Sequence, residues 1–275
     1  MNNHISVSQV SKYLMCPLAY RFQYIDRIET GVKASGLAFG TAFHCAADLL
    51  HRDMMNGGVR KPGVYHEALA ESLKIECGNF DVQMKNNETQ DSLIAEGGRL
   101  VDAYREYRTS HAAKLLATEQ RVERELVNPV TGELLGLPFV AFVDLIEQNG
   151  RGVIVVDLKT AGRAYSQSDA DLSLQLTCYG LLVLLESGTP PTGMRIDAVI
   201  RNKTPRVQSV QTTRTINDFA RFWQIAQAVL AAIRAGSFFP NPGWQCSNCE
   251  YGDLCQSWGT DGCRGPQQPR RKEAK

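Results

Sequence analysis

The chain has 275 residues, of which 43% are hydrophobic and 21% charged, and its formal net charge at pH 7 is +1. That length allows one large domain with a proper core. The near-neutral charge excludes binding of nucleic acid through the field of the whole molecule, so any such contact needs a local basic groove. The sequence has no apolar run of about 18 residues and no basic-then-apolar start, so we expect no membrane span, no signal peptide and a cytoplasmic location.

The N-terminal region predicts two short helices that meet at a cysteine. Ser6 or Ser8 opens the first helix, and Pro17 suits the first turn of the second. The thiol of Cys16 would then lie at the junction.

Residues 36–53 predict a buried helix that begins near Thr41, a candidate N-cap. His44 lies on its apolar side. A histidine in this position is either a hydrogen-bonded core residue or, beside a pair of carboxylates, a ligand for Mn²⁺.

The stretch from residue 65 to about residue 116 predicts amphipathic helices around a polar loop at 85–90. Its basic residues could face DNA, but a solvated helix surface suits them better; they are Arg99, Arg105, Arg108 and Lys114. Strands at 117–127 and 134–139 follow and begin a meander. The first strand carries three acids, of which Glu123 or Glu125 could touch a second metal, although strand-surface positions suit them as well.

Residues 140–159 predict a hairpin whose arms are rich in β-branched residues and meet at a glycine-containing turn. Strand side chains alternate between the two faces of a sheet, so Asp157 and Lys159 share a face and Asp144 can lie opposite them. Buried charges need each other or a metal. Two acids with one lysine suit Mg²⁺ or Mn²⁺, while the lysine can orient or help deprotonate a water and neutralise a phosphate. The alternative is a structural salt bridge.

The next predicted helix, residues 171–185, is strongly apolar and carries two polar side chains on one face, Gln175 and Tyr179. They either bond toward the lysine or a phosphate, or they are satisfied polar groups of a core helix. Two further strands, at 195–201 and 206–213, would extend the sheet. A helix at 216–235 precedes the C-terminal segment.

The chain has eight cysteines, which in a cytosolic protein favour metal binding, redox chemistry or plain burial over disulfides. Residues 241–259 show neither helical nor strand periodicity, so a metal is the expected organiser. Four thiolates fit either an iron-sulfur cluster or a structural Zn²⁺, and the wide separation along the chain favours 4Fe-4S. Cys263 is an alternative to Cys255 as a ligand. The other three cysteines, Cys45, Cys77 and Cys178, are interpreted as small buried hydrophobic residues. The proposed ligands are Cys16, Cys246, Cys249 and Cys255.

The order of these motifs resembles the PD-(D/E)XK nucleases of the RecB-like branch, in particular its iron-sulfur group of AddB-type and CRISPR-associated exonucleases. One departure is Ala141, where the family often has glycine. The resemblance spans nearly the whole chain. It implies that Mg²⁺ or Mn²⁺ is bound by His44, Asp144 and Asp157, that Lys159 assists the water, that Gln175 and Tyr179 complete the site, and that the four cysteines hold the 4Fe-4S cluster.

The fold implied is α/β: a restriction-endonuclease-like core, with a central mixed β-sheet flanked by helices, a helical insertion and an iron-sulfur clasp that joins the two ends of the chain. A single nuclease domain would cover residues 1–265, with a disordered tail at 266–275. Within that domain, the resemblance assigns residues 1–35 and 237–265 to the clasp, 56–116 to the insertion and 117–235 to the catalytic core.

The expected function is a metal-dependent DNA nuclease, an exonuclease acting on single-stranded or end-processed DNA in recombination, repair, phage or CRISPR-adaptation pathways. DNA is the expected partner, together with a protein of a recombination or CRISPR-adaptation complex. Two alternatives stay open. One is a non-catalytic nucleic-acid-binding subunit of a helicase-nuclease or integrase complex, and the other is a zinc-stabilised interaction protein.

Overall fold

A computed structural model describes residues 3–85, 87–111 and 113–259, and shows a mixed β-sheet between two layers of helices. The predicted tail at 266–275 and Cys263 lie outside the described residues. The strands are β1 (Ile5–Ser6), β2 (Val32–Ala34), β3 (Asp81–Gln83), β4 (Lys114–Val127), β5 (Leu134–Asn149), β6 (Gly152–Ala161), β7 (Gly193–Ile200) and β8 (Arg206–Thr212). The α-helices are α1 (Val7–Met15), α2 (Pro17–Tyr20), α3 (Ser35–Met55), α4 (Pro62–Asn79), α5 (Gln90–Ser110), α6 (Gln167–Asp171), α7 (Leu174–Ser187), α8 (Ile216–Arg234) and α9 (Gly252–Gln256). A π-helical turn, Arg21–Ile25, follows α2, and a 3₁₀ turn, Trp244–Asn248, precedes α9.

The main sheet is built on an antiparallel meander of β4, β5 and β6. Strand β7 continues it parallel to β6, and β8 closes that side antiparallel to β7. The short β1 lies parallel to β5, while β2 and β3 form a separate two-stranded sheet. The α/β prediction of a central mixed sheet flanked by helices is therefore confirmed.

Each face of the main sheet carries its own apolar core. Helices α1, α7 and α8 contribute to the core on one face, and α3, α4 and α5 to the core on the other. Side-chain caps fix several helix starts, with Thr89, Ser173 and Thr215 each accepting a hydrogen bond from the backbone of the first turn. Within the described ranges, no helix combines the length and the apolar character needed to cross a bilayer.

Strand β5 has different partners along its length. One edge pairs with β4, and the other pairs first with β1, at Phe139 and Val140, and then with β6, starting at Leu145. Residues 141–144 lie between these two partners. The sheet therefore opens at this point, and helices from both layers can approach it.

Several predicted boundaries are wrong. Lys114 pairs with Gln148, so β4 starts inside the stretch predicted to be helical. The same stretch contains β3, which pairs with β2. Helix α3 begins at Ser35 and not near Thr41, whose hydroxyl instead donates to a carbonyl one turn earlier within the helix. The predicted strand at 134–139 continues without a break into the hairpin arm and forms one strand with it.

Candidate active site

The two predicted carboxylates lie where β5 and β6 separate. The last pair of the ladder joins Leu145 to Val156, and the next residues on the two strands are Asp144 and Asp157. The backbone N–H of Leu158 donates to Asp144 Oδ2 over 2.9 Å, so the carboxylate takes the place of a strand partner. Both acids are buried, with 7% of Asp144 and 1% of Asp157 exposed. Their charges therefore require compensation inside the protein.

Lys159 supplies part of that compensation. Its Nζ donates to Asp157 Oδ1 over 2.6 Å, as expected for two residues on the same face of β6. Burial raises the pKa of Asp157, the neighbouring Asp144 raises it too, and Lys159 opposes both. Burial lowers the pKa of Lys159, but the two carboxylates outweigh it and the pKa lies above its usual value. In the metal-free chain the lysine is therefore held as an ammonium, which suits a hydrogen-bond donor and not a base.

Helix α7 supplies two polar side chains that close a ring of hydrogen bonds. Lys159 Nζ donates to Gln175 Oε1 over 3.2 Å, and Gln175 Nε2 donates to the Tyr179 hydroxyl over 2.6 Å. The hydroxyl of Tyr179 in turn donates to Asp144 Oδ1 over 3.3 Å. Burial raises the pKa of Tyr179 well above its usual value, and the two carboxylates raise it further, so the phenol stays protonated. The structure thus brings these predicted residues together with Asp157.

Helix α3 brings His44 to the same place from the other layer. Its Nδ1 lies 2.9 Å from Glu119 Oε1, and its Nε2 lies 3.0 Å from the carbonyl oxygen of Leu158. Burial lowers the pKa of His44, but Glu119 and Asp144 outweigh it, so the pKa lies above its ordinary value. Both ring nitrogens face oxygen acceptors. In its protonated form the imidazole donates a hydrogen bond from each nitrogen. It must give up one of these protons before it can ligate a metal.

Glu119 is a site residue that the sequence did not single out. One ligand atom each from His44, Glu119 and Asp144 lie within 4.8 Å of one another. The backbone φ of Glu119 is 42°, a left-handed conformation in the middle of β4. The neighbouring strand pairs, Thr118 with Leu145 and Gln120 with Val143, place it opposite Asp144.

The glutamates considered for a second metal, Glu123 and Glu125, lie elsewhere. Glu123 pairs with Arg121 on the surface, and Glu125 accepts from the backbone N–H of Gly136. Neither belongs to the group of candidate metal ligands, which leaves the other alternative of the sequence analysis, strand-surface positions. The alternation of side chains along β4 was visible in the sequence, but only the register with β5 shows which glutamate faces Asp144.

This donor set fits a divalent metal. It offers one imidazole and two carboxylates, a mixture that suits Mn²⁺ and, through its oxygens, Mg²⁺. Asp157 lies outside that compact group but contributes a further buried carboxylate beside Asp144. The site opens to a groove of about 630 Å³, lined among others by His44, Glu119, Lys159 and Thr160. The groove therefore gives access to His44, Glu119 and Lys159 from one side, with the two buried aspartates behind them.

The proposed cluster ligands lie close together at the junction of the two chain ends. Burial raises the pKa of the Cys255 thiol, and Cys16, Cys249 and Cys246 raise it further, so these three sulfurs are within electrostatic reach of Cys255. Cys16, Cys249 and Cys255 pack against a small apolar core that includes Phe22 and Tyr251. Of the remaining cysteines, Cys178 is buried as predicted, Cys77 is partly buried, and Cys45 is exposed, contrary to the prediction.

Comparison with known protein families assigns the chain. Residues 4–256 match the model of the PD-(D/E)XK nuclease superfamily. The chain belongs to this superfamily. Its nucleases use divalent metals, in agreement with the His, Glu and Asp donors found together. Ala141, the departure from the family pattern, is buried and packs in the core, so its methyl group is accommodated.

Solved structures give a more distant likeness. The crystal structure of a protein from Eubacterium rectale, described as a "putative exonuclease", is 15% identical, with a TM-score of 0.52 over 98% of this chain and 91% of that chain. A second structure, named SSO0001, is 14% identical, with a TM-score of 0.34 over 90% of this chain and 92% of that chain. No curated protein matches the chain. At these identities the first structure supports the fold alone.

Proposed function

We propose that this PD-(D/E)XK protein is a Mg²⁺- or Mn²⁺-dependent deoxyribonuclease, and specifically an exonuclease. The carrying observation is that His44, Glu119 and Asp144 converge beside the buried pair of Asp157 and Lys159. Such a constellation combines hard-metal ligands with one protonated donor, which is what hydrolysis of a phosphodiester requires. The exonuclease assignment rests on the resemblance of the sequence motifs to the exonucleases of the RecB-like branch, and the structure described as a "putative exonuclease" agrees with it in fold alone.

The metal would be held by Asp144, Asp157 and His44, and the geometry adds Glu119 as a fourth candidate ligand. When bound, such an ion supplies an activated water and neutralises charge that develops on the phosphate. The chain's own residues hold its ligands in place. Tyr179 donates to Asp144, and the backbone N–H of Leu158 donates to its other oxygen, so this carboxylate cannot rotate freely.

Lys159 would act as the cationic donor at the reacting phosphate. Its ammonium is directed by Asp157 and by Gln175, which fix two of its three N–H donors. The remaining donor can bond to a phosphate oxygen or orient the attacking water. Side-chain exposure of 30% for Lys159 shows that the ammonium reaches the groove, whereas Asp157 is 2% exposed.

We propose that Cys16, Cys246, Cys249 and Cys255 hold a 4Fe-4S cluster, as in the iron-sulfur group of the RecB-like branch. The support is that the other three thiols act electrostatically on Cys255, and that Cys246, Cys249 and Cys255 belong to a segment of short turns. When bound, the cluster would clasp the two chain ends together and would take no part in hydrolysis. Zinc bound by the same four thiolates is the alternative.

The experiment that tests the catalytic proposal is digestion of end-labelled DNA. Linear and circular substrates, single- and double-stranded, are incubated with Mg²⁺ or Mn²⁺ and with either the native chain or Asp157→Asn. We expect metal-dependent release of label by the native chain and none by the variant, since Asp157→Asn removes a buried carboxylate of the site.

Resistance of the circular substrates would establish the requirement for an end, and cutting of circles would replace the exonuclease by an endonuclease. If the native chain cuts none of these substrates, the catalytic proposal is wrong and the non-catalytic binding subunit takes its place. The intact set of Asp144, Asp157 and Lys159 counts against that second candidate.

A further inference from the structure

The segment that leaves β6 passes beside the active site, and a side chain of β8 holds it there at Tyr165. Gln208, on β8, accepts from the backbone N–H of Tyr165 through Oε1 over 2.9 Å and donates through Nε2 to the Tyr165 carbonyl, also over 2.9 Å. The amide of Gln208 thus acts as a strand partner for a residue outside the sheet. Two hydrogen bonds at one residue fix the position of Tyr165 relative to the sheet.

The strand register shows how close this position is to the reaction centre. Lys159 on β6 is level with Ala198 on β7, and Ala198 is level with Gln208 on β8. Residues level with one another on neighbouring strands lie on the same face of the sheet, and each strand adds about 5 Å to the distance between their backbones. The small side chain of Ala198 leaves space between Lys159 and Gln208, and Tyr165 lies over this part of the sheet, packed against its core.

The charges at the active site act on the phenol. Burial raises the pKa of Tyr165, Asp157 and Asp169 raise it further, and Lys159 and Arg163 lower it, so the ring lies within electrostatic reach of the catalytic pair. Its hydroxyl forms no hydrogen bond with any other residue of the described ranges, although the ring is partly buried. A polar group of this kind, beside a phosphate site, is available to a ligand.

Two exposed arginines flank this position. Arg163 lies just after the end of β6, two residues before Tyr165. Arg206 lies on β8, in the same row of the sheet as Ile200 of β7 and Ala161 of β6. Period-two alternation places Arg206 on the same face as Gln208. Neither arginine forms an ion pair with another residue that the structure describes, whereas nearby Arg195 and Arg201 are both paired with acids.

We propose that Arg163, Tyr165 and Arg206, here named the exit strip, bind the phosphates of a single DNA strand adjacent to the scissile phosphate at Lys159. This inference rests on the nuclease function proposed above and assigns the path of its substrate. Phosphate oxygens are the common partners of arginine and tyrosine side chains in nucleic-acid complexes. Gln208 is a positioning residue, because both polar atoms of its amide are bonded to the backbone of Tyr165.

The arrangement of the exit strip favours a single DNA strand over a duplex. Gln208 ties Tyr165 to β8 in the row of Lys159, and Arg206 lies two residues along the same strand, so the donors lie on one side of Lys159 and suit one sugar-phosphate backbone. A duplex presents two backbones and would need a second cationic line at the matching distance.

The test is the binding of a fluorescein-labelled, mixed-sequence single-stranded DNA to Asp157→Asn protein in Mg²⁺, followed by anisotropy over a series of salt concentrations. In this background we compare Arg163→Ala, Arg206→Ala and Tyr165→Phe. The matched control is Arg151→Ala, which removes an exposed arginine from the turn at the opposite end of β6. All four substitutions remove exposed or unpaired groups, and equal unfolding midpoints would show that each variant is folded.

For Arg163→Ala and Arg206→Ala we expect the slope of log K against log salt to become shallower by about 0.7 each, the value of one phosphate contact on a single strand. For Tyr165→Phe we expect binding to weaken by about tenfold, since a hydrogen bond to a charged group is lost. Arg151→Ala should leave affinity and slope unchanged. Gln208→Ala should weaken binding no more than Tyr165→Ala.

The exit strip is disproved if its three variants bind like the parent, or if Arg151→Ala weakens binding as much as they do. Loss of duplex binding with unchanged single-strand binding would also overturn the single-strand assignment. In either case, cutting by the native chain would leave the nuclease function intact. A native chain that neither binds nor cuts DNA would instead remove the function on which the strip rests.

Discussion

Glu119 has a backbone conformation that few residues other than glycine adopt. Its φ of 42° costs of order 1 kcal/mol or more and persists only where the surrounding structure imposes it. In return the carboxylate lies 2.9 Å from His44 Nδ1 and within the same group as Asp144. Strain of this kind in the middle of a strand, at a group of candidate metal ligands, supports our proposal that the side chain serves the site.

Glu119→Gln is therefore expected to lower metal-dependent cleavage by about 10- to 100-fold, the loss typical when a group that ligates or orients ligands is removed. The measurement is the rate of label release at several Mn²⁺ concentrations. Glu123→Gln is the matched control, since this glutamate of the same strand is exposed and pairs with Arg121. Equal rates for the two variants would contradict a role for Glu119.

His51 contributes to stability in a pH-dependent way. It is 1% exposed, its Nε2 lies 2.8 Å from the Tyr104 hydroxyl, and its Nδ1 lies 3.1 Å from Thr118 Oγ1. Burial lowers the pKa of His51 to about 3, with Arg108 and His44 adding to the effect. The folded chain keeps this ring neutral, whereas the unfolded chain protonates it below its ordinary value of 6.5.

The free energy of unfolding should then fall as the pH drops from about 6.5 toward 3, by up to about 1.4 kcal/mol per pH unit from this residue. His51→Gln cannot bind that proton, so its slope should be shallower by this amount. The comparison is urea unfolding of metal-free native and variant protein between about pH 5 and 6.5. Parallel slopes would show that His51 titrates normally in the folded state.

The sequence predicted the site only where local patterns define it. Alternation along β6 places Asp157 and Lys159 on one face, and helical spacing places Gln175 and Tyr179 together. Glu119 could not be found in this way. Its position opposite Asp144 depends on a register shift between Leu115 and Ala117, which only the paired strands reveal.

At the scale of elements, α5 is joined to the sheet by a buried ionic network. Arg108 and Arg195 both pair with Glu147 of β5, and Arg195 also pairs with Asp197. The sequence interpretation placed Arg108 on a solvated helix surface, which is wrong, because its side chain is completely buried. Helical periodicity alone cannot identify an arginine whose partner lies on a strand many residues away.

Arg108→Met should lower the free energy of unfolding by about 3 kcal/mol, since the buried Glu147 would lose one of its two cationic partners. Urea unfolding of the metal-free protein measures the change. Arg99→Ala, an exposed arginine of the same helix, is the control and should stay within about 0.5 kcal/mol of the native value. A loss for Arg108→Met as small as that of the control would mean that the network contributes specificity and not stability.

At the scale of the whole molecule, the two ends of the chain meet on one side of the nuclease core. The hydroxyl of Tyr13 donates to the Ser237 carbonyl over 2.6 Å, and the backbone N–H of Leu18 donates to the Phe239 carbonyl over 3.0 Å. The Phe22 ring lies 5.6 Å from that of Tyr251. These contacts, with a small apolar core that includes Phe22 and Tyr251, bring the two segments together, and the proposed cluster would add a further link between them.

Cys16→Ser should abolish the visible absorbance, iron and acid-labile sulfide of protein purified without oxygen, and should lower the thermal unfolding midpoint. One ligand of four is lost, and the two chain ends are then held only by the contacts described above. Cys45→Ser is the matched control, because this exposed cysteine of α3 lies outside the proposed set.

Elemental analysis decides between the metals. If the native protein contains zinc and Cys16→Ser alone loses it, the four cysteines bind a structural zinc ion and not an iron-sulfur cluster. Full iron content in Cys16→Ser would remove Cys16 from the ligand set and leave the junction of the two ends to packing.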